Sequence, residues 1–121
     1  MKTCVLRCVL GWLLAGAASG QILIQRAPAQ AAARKNPYEG RERAARAGAK
    51  LFARECAACH GSQGEGGLGK APPLRREEVY GASPGALFWV LRNGALARGM
   101  PSFAHLPEAQ RWQLITWLQT R

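Results

Sequence analysis

Cys56, Cys59 and His60 stand within five residues of one another, in the stretch Glu55-Cys56-Ala57-Ala58-Cys59-His60-Gly61. Two thiols and an imidazole at that spacing suit three chemistries: zinc coordination, thiol–disulfide exchange and thioether attachment of haem. A structural zinc site wants four ligands, usually as two close pairs. Outside this stretch the chain has one other histidine, His105, and its other two cysteines, Cys4 and Cys8, lie near the amino terminus. A redox dithiol of this spacing belongs to a βαβ pattern, and no segment here alternates with period two. A plain disulfide would leave His60 without a purpose. Covalent haem attachment uses all three side chains. The two intervening residues set the sulfur separation for the vinyl groups, and the imidazole follows on the same side to meet the iron.

Low-spin haem iron needs a sixth ligand. Met100 lies 40 residues beyond His60, between Gly99 and Pro101. A lone methionine is more often a core gap-filler. Its neighbours, however, suit a tight turn and poorly suit a core helix, and Ser102-Phe103 follow as polar then aromatic. His105 is the alternative ligand.

The elements that must position these residues are helical. Residues 41–57 are rich in helix formers, and Gly48 and Phe52, four apart, share a face. Five glycines between Gly61 and Gly69 make a loop. Pro72-Pro73-Leu74 extends it, because each proline drives its predecessor from helical geometry. Ser83-Pro84 is a capped helix start, Leu87, Phe88, Val90 and Leu91 supply an apolar face, and Asn93-Gly94 ends it. Pro107-Glu108 opens a last helix carrying Trp112, Leu114, Ile115, Trp117 and Leu118. There is no internal repeat. The expected fold class is all-α.

The amino terminus reads differently. Lys2 and Arg7 precede the apolar run Val9-Leu10-Gly11-Trp12-Leu13-Leu14-Ala15, and small residues follow up to Gly20. That order is a secretory signal over residues 1–20, with cleavage before Gln21. The apolar run is short for a membrane span; an uncleaved anchor prolonged by Ile22-Leu23-Ile24 is the alternative. Residues 21–39, with few large apolar side chains, are expected as a flexible Ala/Arg/Pro-rich arm, and the domain as residues 40–121. Export removes Cys4 and Cys8, leaving Met100 the one methionine. The whole chain carries 17 basic and 7 acidic residues. Loss of Lys2 and Arg7 leaves 15 against 7, a charge of +8. Such a surface steers toward acidic partners. The basic residues are scattered without aromatic alternation, so nucleic acid is not expected.

The chain resembles the class I (monohaem) cytochromes c, in a compact bacterial form. The resemblance rests on Cys56-x-x-Cys59-His60, on Gly48 and Phe52 before it, on Pro72 twelve residues after His60 with Leu74 next but one, on Met100-Pro101, and on Leu114-x-x-Trp117-Leu118. It covers residues 40–121. The stretch between Leu74 and Met100 is shorter than in mitochondrial members. The resemblance implies a small helical domain wrapped around one haem c held covalently through Cys56 and Cys59. It makes His60 the proximal ligand, with its other ring nitrogen on the Pro72 carbonyl, and Met100 the distal ligand. It places Gly48, Phe52, Leu114 and Trp117 at a helix crossing; Trp112 receives no role. It implies electron transfer rather than catalysis, since both axial positions are filled. The expected setting is a periplasmic carrier between a dehydrogenase and a terminal acceptor, docking on acidic surfaces of redox partners and touching membrane only if the amino-terminal segment stays uncleaved. The alternatives are a haem subunit of a larger dehydrogenase or oxidase, and a haem peroxidase or gas-binding protein if Met100 dissociates.

Overall fold

A computed structural model describes residues 23–67, 69 and 71–120. The expected signal, with Cys4 and Cys8, lies outside the described residues. Among the described residues the named α-helices are, in chain order, α1 (Ala29–Ala32), α2 (Glu42–Glu55), α3 (Ala57–His60), α4 (Glu77–Tyr80), α5 (Pro84–Asn93) and α6 (Glu108–Leu118). A 3₁₀ turn (Leu96–Arg98) lies between α5 and α6. Among the described residues there is no strand, only an isolated antiparallel bridge between Ala95 and Met100. No described helix is long and apolar enough to cross a membrane.

The scaffold is the crossing of α2 and α6. Gly48 makes it possible: a Cβ there would stand 2.0 Å from the Gln113 carbonyl oxygen and 2.9 Å from the Trp117 Cβ. Sequence reasoning expected Leu114 or Trp117 as the closest neighbour, but the backbone of α6 comes nearer still. One turn on, Phe52 packs against Trp117 with ring centroids 4.3 Å apart. Phe52, Leu114 and Ile115 are fully buried, and each such side chain contributes about 1.5–3 kcal/mol of hydrophobic stabilisation.

Helix α5 starts and stops where its sequence says. The Ser83 Oγ accepts from the Ala86 N–H at 3.3 Å, Pro84 fills the first turn, and Gly94 ends the helix at φ +65°. Its apolar face brings Phe88 onto Trp112, with centroids 4.1 Å apart. That stack gives Trp112 a role that its spacing from Trp117 did not suggest.

Two features depart from the expected organisation. Helix α2 ends at Glu55, and Cys56, at φ −124°, separates it from the short α3. The continuous helix expected over residues 41–57 is thus broken at the first cysteine. Residues 28–39 form a strap rather than a free arm. The Asn36 amide donates to the Thr116 hydroxyl at 2.9 Å in the interior, and its side-chain oxygen accepts from the Tyr38 N–H at 2.9 Å. Arg34 donates to Glu108 at 2.6 Å, and the Ala31 carbonyl presses on Gly85, where a Cβ would come within 2.2 Å of it. A count of large apolar side chains misses such a segment, because buried hydrogen bonds and backbone contact hold it.

Candidate haem site

Cys56 closes α2 by donating its N–H to the Phe52 carbonyl at 2.9 Å, and its own carbonyl accepts from the His60 N–H at 3.0 Å. Both cysteines are unpaired thiols; Cys56 is half-buried and Cys59 exposed. The chain then reverses at Gly61, whose φ of +87° suits glycine. The Gly66 N–H returns to the His60 carbonyl at 2.7 Å. The Glu65 carboxylate accepts from the Gln63 N–H at 2.7 Å, and backbone donors hold its carboxyl below the ordinary value of 4.5.

The decisive contact joins His60 to Pro72. Nδ1 lies 2.9 Å from the Pro72 carbonyl oxygen. A carbonyl can only accept, so Nδ1 carries the proton and Nε2 keeps its lone pair for a metal. The Pro72 segment is itself anchored. The Leu74 and Arg75 N–H groups donate to the Gly64 carbonyl at 2.7 and 3.2 Å. The Arg75 Nε donates to the Gln63 carbonyl at 2.6 Å, and its guanidinium lies 5.2 Å from the Trp117 ring centroid. Arg75 thus ties the glycine loop, the proline segment and α6 together. Sequence reasoning missed it, because a single basic residue after Leu74 carries no motif.

Met100 is presented by a different device. Its N–H and carbonyl pair with Ala95 at 3.2 and 2.9 Å, closing a small loop around the 3₁₀ turn. Gly99, at φ +85°, lets the chain return. The Phe103 N–H donates to the Leu91 carbonyl at 2.8 Å, and the Ser102 hydroxyl to the Arg92 carbonyl at 2.5 Å, fixing the exit to α5. Met100, Cys56 and Leu74 are partly buried and pack against one core cluster, so three of the six candidate residues border the same apolar interior. His105 is exposed, with its ring centroid 6.0 Å from that of Phe103.

The donor set fits haem c. Burial, then Glu55, then Cys59 push the Cys56 thiol up to about 12. A thiol held neutral is a poor exchange nucleophile, whereas a thioether requires no anionic sulfur. Among the described residues no three His, Cys, Asp or Glu side chains gather as a metal cluster. Cys56 and Cys59 would hold the macrocycle, His60 and Met100 would offer nitrogen and sulfur to its iron, and Pro72 would orient the imidazole.

The family model of cytochrome c oxidase, cbb3-type, subunit III matches residues 43–118. The chain belongs to that cytochrome c family. The structure is also similar to the crystal structure of cytochrome CL from the marine methylotrophic bacterium Methylophaga aminisulfidivorans, with a TM-score of 0.58 and 28% sequence identity over 69% of this chain. The match spans 57% of that protein. No curated protein matches the chain. The protein is therefore a class I cytochrome c with the all-α fold of that class. The strap over residues 28–39 precedes the family match.

Proposed function

We propose that the protein is a periplasmic carrier with one haem, ligated by His60 and Met100 and attached through Cys56 and Cys59. The reading is carried by the Nδ1–H bond from His60 to Pro72 in a Cys-x-x-Cys-His turn. When bound, haem c supplies a one-electron ferric/ferrous couple, and a His/Met pair favours its reduced form. The protein does the rest. Pro72 fixes the imidazole tautomer and ring angle, and the Ala95–Met100 backbone bridge fixes the turn that carries Met100. With His60 and Met100 both engaged, the chain would leave no position open for a substrate. The excess of basic residues would steer the protein to acidic partner surfaces.

The test is an intact mass and an absorption spectrum of the protein made in a host with haem-attachment machinery. A mass raised by one haem after denaturation and a sulfur-to-iron band in the oxidised state are expected. A bare polypeptide mass would overturn the attachment, and a missing band the Met100 ligation. A second reading, a subunit fixed in an oxidase, is favoured by the matching family model, which is named for such a subunit. Isolation of the protein as a stable part of a membrane oxidase would decide for it.

A further inference from the structure

Between the strap and α5, away from the residues assigned to the haem, lies a groove of about 300 Å³. Arg34, Arg92, Phe88 and Trp89 are among the residues that line it. The guanidinium of Arg34 lies 4.4 Å from the Phe88 ring centroid and that of Arg111 4.6 Å from the same ring. Arg111 is 8% exposed, and its buried Nε and Nη1 donate to nothing. Burial, with Arg92 and Arg34 nearby, holds the Arg111 guanidinium below its ordinary value. The carboxylate in this cluster is Glu108, and Arg34 and the Trp112 indole N–H already bind it at 2.6 and 3.3 Å. Arg92 has no ion pair among the described residues. Three guanidinia thus share one carboxylate, which leaves two positive charges without a counterion, one of them interior. An interior cation without a hydrogen-bonding anion is costly.

We propose that this groove binds a phosphate-type oxyanion, with Arg92 and Arg34 as direct donors and Arg111 as the buried charge that the anion neutralises. A guanidinium fork matches phosphate oxygens in pairs. Glu108 meets Arg34 through one oxygen and one nitrogen only. A tetrahedral anion has oxygens for both lining arginines at once. The Gly85 contact that seats the strap also shapes the groove, because Ala31 and Gly85 both line it. The anion is either free phosphate or the phosphate of a lipid headgroup.

The experiment uses the full haem-loaded chain at constant ionic strength, with chloride exchanged for inorganic phosphate, read by calorimetry and by the thermal midpoint. Saturable binding and a raised midpoint are expected. Arg92→Gln should weaken binding at least tenfold, whereas Arg46→Gln, on α2 and paired with Glu42, should not. Arg111→Met should lose the phosphate-dependent rise while unfolding no lower than the parent in chloride, since an apolar side chain removes the unpaired charge. A second arm measures co-sedimentation with vesicles of phosphatidylcholine alone or mixed with phosphatidylglycerol. Sedimentation that needs Arg92 and is reversed by phosphate assigns a headgroup source. Sedimentation indifferent to Arg92, with phosphate binding intact, assigns free phosphate. No saturable response to either form, or equal responses in Arg92→Gln and the parent, overturns the site.

Discussion

The turn at residues 56–60 and the loop at residues 94–103 each carry one candidate iron ligand, and they are held by different physics. The first is a lattice of directional bonds. Its imidazole is tied to Pro72, its backbone to Phe52 and Gly66, and its loop to Arg75. The second is fixed at its base, by the Ala95–Met100 bridge and the Phe103 and Ser102 contacts with α5, while the Met100 side chain is placed by packing alone. An unbranched thioether in a turn can leave with little cost to its surroundings, whereas an imidazole bonded to a carbonyl cannot. Of the two candidate ligands, His60 is held by directional bonds and Met100 by packing alone.

Both regions hang from the α2–α6 crossing, so the largest effect comes from breaking it. Gly48→Val places a branched side chain against the Gln113 carbonyl, where even a Cβ stands at 2.0 Å. Overpacking of a core typically costs 1–3 kcal/mol, and a clash with backbone is expected at or above about 3 kcal/mol. Thermal unfolding of the oxidised protein measures it. An unchanged midpoint would remove the crossing as the shared support.

Met100→Ala separates the two regions. It should leave the fold and the covalent haem in place, abolish the sulfur-to-iron band, and lower the reduction potential. Axial ligands tune haem over roughly 0.8 V, so a drop on the order of 0.1 V is expected by voltammetry. Added cyanide or imidazole should bind quickly. His105→Ala should change none of these. If instead His105→Ala alters spectrum and potential and Met100→Ala does not, the distal assignment moves to His105.

A smaller effect sharpens how the distal loop is held. Gly94 has φ +65°, and a Cβ there would lie 2.6 Å from the Pro101 carbonyl carbon and oxygen. Gly94→Ala therefore adds left-handed strain to a clash beside the candidate ligand, at a cost of about 1–3 kcal/mol. Cyanide should bind faster than in the parent, because the loop opens more often. Equal binding rates would mean that the base of the loop does not govern release of Met100.

The smallest effect tests the proximal lattice. The Glu65 carboxyl is held below 4.5 by backbone donors. A depressed carboxyl contributes stability that is complete above its unfolded value and fades as pH falls through its folded value. Glu65→Gln should lower the thermal midpoint slightly near neutrality and flatten its decline below pH 4.5. A parallel acid decline in both proteins would show that this carboxylate does not brace the turn.

Some of this was readable along the chain because it is local. The Cys-x-x-Cys-His spacing and the Ser83-Pro84 start and Gly94 end of α5 each follow from the chemistry of one or two residues, whereas the close approach at Gly48 came from resemblance to a family. The distances of Pro72 and Met100 from His60 marked them through resemblance to a family. Other features joined parts of the chain too far apart for any pattern to show. Arg75 reaches back to Gln63 and across to Trp117, Asn36 pairs with Thr116 eighty residues away, and Trp112 finds Phe88. Each is a contact whose partner no local spacing predicts. The break at Cys56 is similar, since helix formers flank it and its backbone leaves the helix within an otherwise good helical run.

The sequence by itself determined the three long helices, the attachment motif and the candidate iron ligands, because capping, proline and glycine geometry and thiol spacing act within a few residues. Only the tertiary structure decided that Arg75 anchors the Pro72 segment, that residues 28–39 lie on the domain as a strap, and that Arg34, Arg92 and Arg111 gather near Phe88. Those outcomes depend on which surfaces are brought together, and burial and charge compensation are properties of the assembled surfaces rather than of any one stretch of chain.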